Sequence, residues 1–64
     1  MLYFSVDIRR KNGIVRKYFC TDEILKFHNH IFHYYSGKDY FVQEWCESAI
    51  LPALKANYIK IKQL

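Results

Sequence analysis

At 64 residues and a net charge of +4, the chain is one small domain, because a single core needs about 50 residues and two cannot share so little. With 52% hydrophobic and 19% aromatic residues, two glycines and one proline, it is too apolar for a disordered segment or a flexible linker. No apolar run approaches the roughly 18 residues of a membrane span, and the start Met1-Leu2-Tyr3-Phe4 runs into Asp7, Arg9 and Arg10, the wrong order for a signal peptide; a cytoplasmic location with no membrane partner is the expectation.

Residues 2–20 alternate about a turn signal, with Leu2, Phe4, Val6 and Ile8 on one side and Tyr3, Ser5, Asp7 and Arg9 on the other. The pattern predicts a β-hairpin. Asn12-Gly13 suits a two-residue type I′ turn, and Lys11-Asn12-Gly13 suits equally a three-residue loop with a glycine bulge. The first places Val15 and Phe19 on the face of Val6 and Ile8; the second places Ile14, Tyr18 and Cys20 there, since a one-residue slip exchanges the faces.

Thr21 is positioned to cap a helix running to about Tyr35, with Asp22 and Glu23 in its first turn near the positive end of the dipole. On a 100° wheel Ile24, Leu25, Phe27, Ile31, Phe32, Tyr34 and Tyr35 share one half, and Lys26, Asn29, His30 and His33 the other. Ser36-Gly37-Lys38 has the length of a link between antiparallel helices, with Asp39 as the next cap. A second helix is expected with Phe41, Val42, Trp45, Cys46, Ala49 and Ala53 inward, kinked or restarted at Pro52. Tyr58-Ile59-Lys60-Ile61-Lys62 alternates strictly and predicts a closing strand with its lysines outward.

The expected fold is therefore α+β, a two-layer β-β-α-α-β arrangement with a three-stranded, mostly antiparallel sheet and a helical hairpin on one face. In it the last strand runs antiparallel to the second. Trp45 is expected between the helices and the sheet.

Charge is divided unevenly among these segments. Residues 1–20 set Arg9, Arg10, Lys11, Arg16 and Lys17 against Asp7 alone, and the C-terminal strand adds Lys60 and Lys62. The segment between them has a small acidic excess, so the sheet is basic and the helical layer mildly acidic. Cations on the outer sheet face beside Tyr3 or Tyr18 suit phosphates and bases, an acidic protein surface, or simply protection of strand edges against aggregation.

Little in the sequence points to catalysis. The letters His-Asn-His at 28–30 lie on one helix, where consecutive residues diverge by 100° and cannot converge on a substrate. His30 and His33 share a face but lack a second ligand pair, so neither a structural metal nor a cofactor is expected. His28 projects from the apolar side and needs a hydrogen bond if buried; pairing it with Cys46 as base and thiolate is the sharper alternative. Cys20 and Cys46 are expected as reduced thiols. Ile50, Leu51 and Leu54 either pack behind Pro52 or form an apolar interface.

These features predict a non-enzymatic protein-binding module, of the kind a phage or mobile element uses to inhibit or regulate a host protein, acting as a monomer or homodimer. An interface of about 800 Å² would occupy nearly a fifth of so small a surface. The alternative is a nucleic-acid binder using the basic sheet and the hairpin tip. In either case the expected contact residues are Arg9, Arg10, Lys11, Arg16, Lys17, Lys60, Lys62, Tyr3 and Tyr18.

Overall fold

A computed structural model describes every residue, Met1–Leu64. The elements are β1 (Leu2–Arg10), β2 (Gly13–Thr21), α1 (Ile24–Tyr35), β3 (Tyr40–Trp45), α2 (Glu47–Lys55) and β4 (Ile61–Gln63). They form an α+β fold whose four-stranded sheet has the order β3-β1-β2-β4. β1 is antiparallel to both β2 and β3, whereas β4 is parallel to β2. The three-stranded sheet with a helical hairpin is thus corrected, as is the antiparallel last strand.

The largest departure is at residues 40–45, where a strand replaces the first half of the expected second helix. Tyr-Phe-Val-Gln-Glu-Trp is rich in aromatic and β-branched residues, and over six positions its apolar pattern fits either periodicity. The need of β1 settles the choice. Its residues Tyr3–Val6 and Ile8 are buried, and backbone groups pointing away from β2 require partners once out of water. β3 supplies them, pairing from Tyr3 with Trp45 to Ile8 with Tyr40. The ladder extends to Asp39, whose carbonyl accepts the Arg9 N–H at 3.0 Å, so Asp39 is a ladder residue and not a helix cap.

The hairpin pairs Arg10 with Gly13 around Lys11-Asn12. Within the hairpin loop positive φ falls on Gly13 alone, at 125°, so the loop is not a type I′ turn centred on Asn12-Gly13. Its register still places Val15 and Phe19 on the face of Ile8 and Phe4. Thr21 ends β2, and its hydroxyl accepts the Glu23 N–H at 3.1 Å. Glu23 is the N-cap of α1, so Asp22 and Glu23 precede the first turn instead of occupying it.

Phe4, Val6, Ile8 and Phe19 from the sheet meet Phe27, Ile31 and Tyr35 from α1 in the main core. Phe4 and Phe27 stack with centroids 4.0 Å apart and planes 9° apart. This contact rotates α1 relative to the wheel reading. Leu25 and Phe32 are left exposed, Phe32 by 75%; His28 is exposed and His30 half-buried, the reverse of the expected assignment.

The second helix lies elsewhere. β2-α1-β3 crosses β1 in one direction and β3-α2-β4 returns across it; crossovers of the same hand then place their helices on opposite faces. Tyr3 points away from α1 and donates to Glu47 Oε1 in the first turn of α2 at 3.4 Å. Trp45 also belongs to this side. It is half-buried outside the main core, donates from Nε1 to Ser5 Oγ at 2.8 Å, and lies 5.7 Å from the Arg16 guanidinium.

α2 runs through Pro52 without restarting. The missing proline N–H leaves the Ser48 carbonyl without its i+4 donor, and both residues are exposed, where water takes the bond. Ile50 is 2% exposed and packs inward, with Leu51 and Leu54 half-buried. Asn57 adopts φ 62° and closes the helix with a Schellman pair: its N–H donates to Leu54 and that of Tyr58 to Ala53. Of the expected strand from Tyr58 to Lys62, only Ile61 and Lys62 pair, joined by Gln63. No helix is long and apolar enough to cross a membrane.

The molecule is a slab of 32 × 29 × 14 Å with 4953 Å² of surface, above the roughly 4,400 Å² expected at this mass. Its core is shallow, so each aromatic contact in it matters. Replacing Phe27 by Ala should cost about 3–5 kcal/mol, much of the roughly 3–10 kcal/mol available to a chain of this length. Phe32→Ala should change stability by less than about 0.5 kcal/mol. Thermal melts followed by circular dichroism compare the two, and equal losses would contradict the helix rotation described.

Candidate functional site

An open cleft of about 720 Å³ lies between α1, the outer edge of β2 and the chain from Tyr58 to Lys62. It exists because β4 pairs only with Tyr18, Phe19 and Cys20. The residues before β4 splay away instead of continuing the ladder. Gly13–Lys17 of β2 therefore have a strand on one side only. The Cys20 carbonyl accepts from Leu64 at 2.9 Å, so even-numbered residues of β2 direct their backbone outward. Arg16 is one of them, and it meets the cleft with no strand partner.

The floor is apolar and aromatic, from Ile8, Phe19 and Tyr35. Arg10, Arg16, Lys17, Lys38, Lys60 and Lys62 line the cleft, and no aspartate or glutamate does. Arg16 is the exception among these cations. Its Nε and Nη2 donate to Asp7 Oδ1 and Oδ2 at 2.6 and 2.9 Å, a bidentate pair that holds the Asp7 carboxyl below its ordinary range. The remaining five cations have no carboxylate within ion-pair distance. Lys38 Nζ lies 5.8 Å from the Tyr35 ring, positioned there by the turn through Gly37 at φ 80°.

His30 enters from α1 with its ring 4.8 Å from Phe19, 4.7 Å from Tyr34 and 5.9 Å from Tyr35. Burial first, then the neighbouring Lys62 and Lys17, push its pKa down. A neutral imidazole therefore sits among lysines. Burial likewise raises the Tyr35 hydroxyl, against a smaller opposing effect of Arg10.

Of the residues expected from sequence, the cleft collects Arg10, Arg16, Lys17, Tyr18, Lys60 and Lys62. Arg9 instead lies beside Asp39 at 3.9 Å, Lys11 is in the hairpin turn, and Tyr3 is buried beneath α2 and Trp45. Sequence reasoning missed His30, Tyr34, Tyr35, Lys38 and Tyr58. The i, i+4 pair His30 and Tyr34 was a usable signal, but only the Phe4–Phe27 stack turns that flank toward β2.

The alternative chemistry is not assembled. Cys46 is exposed at the N-cap of α2, 3.4 Å from the Ser48 hydroxyl, and His28 is exposed on α1 with no hydrogen bond to it. No three His, Cys, Asp or Glu side chains converge as a metal site. Comparison with protein-family models, curated proteins and solved structures found no match.

The depressed His30 pKa fixes the sign of a pH effect. Between its folded value and the ordinary 6.5, the unfolded chain binds a proton that the folded chain does not, so stability rises with pH in that window. The His30 contribution is complete above about 6.5 and declines as the pH falls below it. The thermal midpoint should drop between about pH 7 and 5, and His30→Gln should reduce the drop. An unchanged pH profile in that variant would remove His30 from the cause.

Proposed function

We propose that the protein is a non-enzymatic binding module whose cleft holds nucleic acid. The observation that carries this reading is the segregation of charge: five cations without carboxylate partners line one concavity, together with histidine and tyrosine rings. Like charges gathered on one wall destabilise the free protein. A polyanion relieves that repulsion and releases its own condensed counterions on binding. Hydrogen-bond donors at several heights in the cleft, including the unpaired edge of β2, suit a chain of phosphates better than a single carboxylate.

A protein partner is the second reading, and a different surface favours it. β3 is an edge strand whose outer side carries no lysine or proline to discourage pairing. Phe41 on it is 64% exposed, and Leu25 and Phe32 of α1 are also open to water. An extended segment adding to β3 would use backbone bonds for affinity and these side chains for selectivity.

Salt dependence separates the two. For nucleic acid in the cleft, log affinity should fall linearly with log salt, with a slope of roughly −3.5 if all five free cations meet phosphates of a single strand. Lys17→Ala or Lys62→Ala should each reduce the slope by about 0.7, whereas Phe41→Ala should leave affinity unchanged. Anisotropy titrations of labelled oligonucleotides at several salt concentrations measure this. Absence of binding to any nucleic acid at about 0.15 M salt, where screening reaches about 8 Å, would defeat the reading.

A further inference from the structure

The cleft borders carry two rings that are far more open to water than its floor. Tyr34 is 61% exposed and Tyr58 is 83% exposed. They come from different walls. Tyr34 stands on the last turn of α1, backed by His30 at 4.7 Å and His33 at 6.1 Å. Tyr58 follows the left-handed Asn57, and its own backbone N–H is tied to Ala53 at 3.0 Å. The chain is thus anchored where the ring leaves it, and neither hydroxyl is committed to a hydrogen bond within the protein.

A single exposed tyrosine needs no explanation. Here two line one concavity from different elements, together with five cations that have no carboxylate partner. Aromatic faces in a basic groove are how single strands are held without regard to sequence, since every base has a face to stack. A duplex fits this shape poorly. Its base faces are stacked inside and only edges are shown, in grooves that receive a protruding helix or ribbon. Cations lining the walls of a concave cleft cannot follow its convex backbone.

We propose that the cleft is a single-strand site in which unstacked bases lie on Tyr34 and Tyr58 while Arg10, Lys17, Lys60 and Lys62 hold the phosphates, an assignment that rests on the nucleic-acid reading above. The volume of about 720 Å³ falls within the usual range of roughly 300–1,000 Å³ for small-ligand sites. It accommodates a short stretch of bases with the strand continuing along the open β2 edge. The outward backbone of Arg16 adds a donor and an acceptor there that no β-strand uses.

Four labelled probes of equal charge, compared at matched salt concentrations, test the assignment: a single-stranded oligonucleotide, a duplex of half its length, an abasic strand and polyglutamate. The single strand should bind at least about tenfold more tightly than the other three. Tyr34→Ala and Tyr58→Ala should each weaken it by about fivefold to a hundredfold, the cost of one lost stack. Phe at either position should restore binding, and neither alanine variant should change the salt slope. Both rings are exposed, so these variants fold; a melt of each verifies it. Equal binding of the abasic strand or duplex, or no effect of either alanine change, overturns base stacking while leaving the nucleic-acid reading intact. Polyglutamate binding as tightly as the single strand overturns it in favour of an acidic protein surface. Binding of none of the four removes both the assignment and the reading beneath it.

Discussion

The stack of Phe27 on Phe4 fixes the relation between the one well-packed helix and the sheet. A helix with apolar residues over half its circumference can lie on a sheet at several rotations with similar burial. Two near-parallel rings at van der Waals separation admit far fewer. Once Phe27, Ile31 and Tyr35 face the sheet, the remaining directions follow from 100° steps. His30 and Tyr34 turn toward β2, and Leu25 and Phe32 turn to water. The cleft is thus a consequence of core packing, and its aromatic wall is the flank of the helix that supports the fold.

The second constraint is the length of β4. Three pairing residues are enough to hold the C-terminal chain to β2, and Leu64 adds a further bond to Cys20 and contacts the core cluster. A longer ladder would have brought Lys60 beside the basic half of β2 within the sheet, adding like-charge repulsion across the strands. Instead the lysines stand apart across a gap. The arrangement keeps an edge of β2 unpaired, a feature that normally invites aggregation. Dense positive charge along this edge opposes the approach of a second copy and favours an anionic chain.

Charge and apolar exposure occupy opposite ends of the sheet. The free cations gather at the β2–β4 side, whereas β3 has Glu44 as its one charge and leaves Phe41 open. Between them Arg16 is neutralised by Asp7 and covers the Trp45 ring. That arginine is structural in its side chain even though its backbone borders the cleft. Counting cations by segment therefore overstates what the sheet offers a ligand.

The sequence by itself determined the hairpin, the existence and C-terminal end of the first helix, the mildly acidic middle of the chain and the two basic ends. Each is written in local periodicity, turn residues or composition, which require no knowledge of neighbours. Only the tertiary structure decided that residues 40–45 are a strand, because that choice answers the unpaired backbone of a strand more than 30 residues earlier. Likewise it decided the direction of β4, which follows from a crossover that no nearby residue specifies. His30 exchanged places with His28 because the wheel gives relative angles within a helix, and the absolute rotation comes from the partner surface. The site drew six of its residues from those legible in the basic segments and the rest from this rotation and from the left-handed turn at Asn57. A position on an element is a local property, but which cavity it faces is set by the packing of elements distant in sequence.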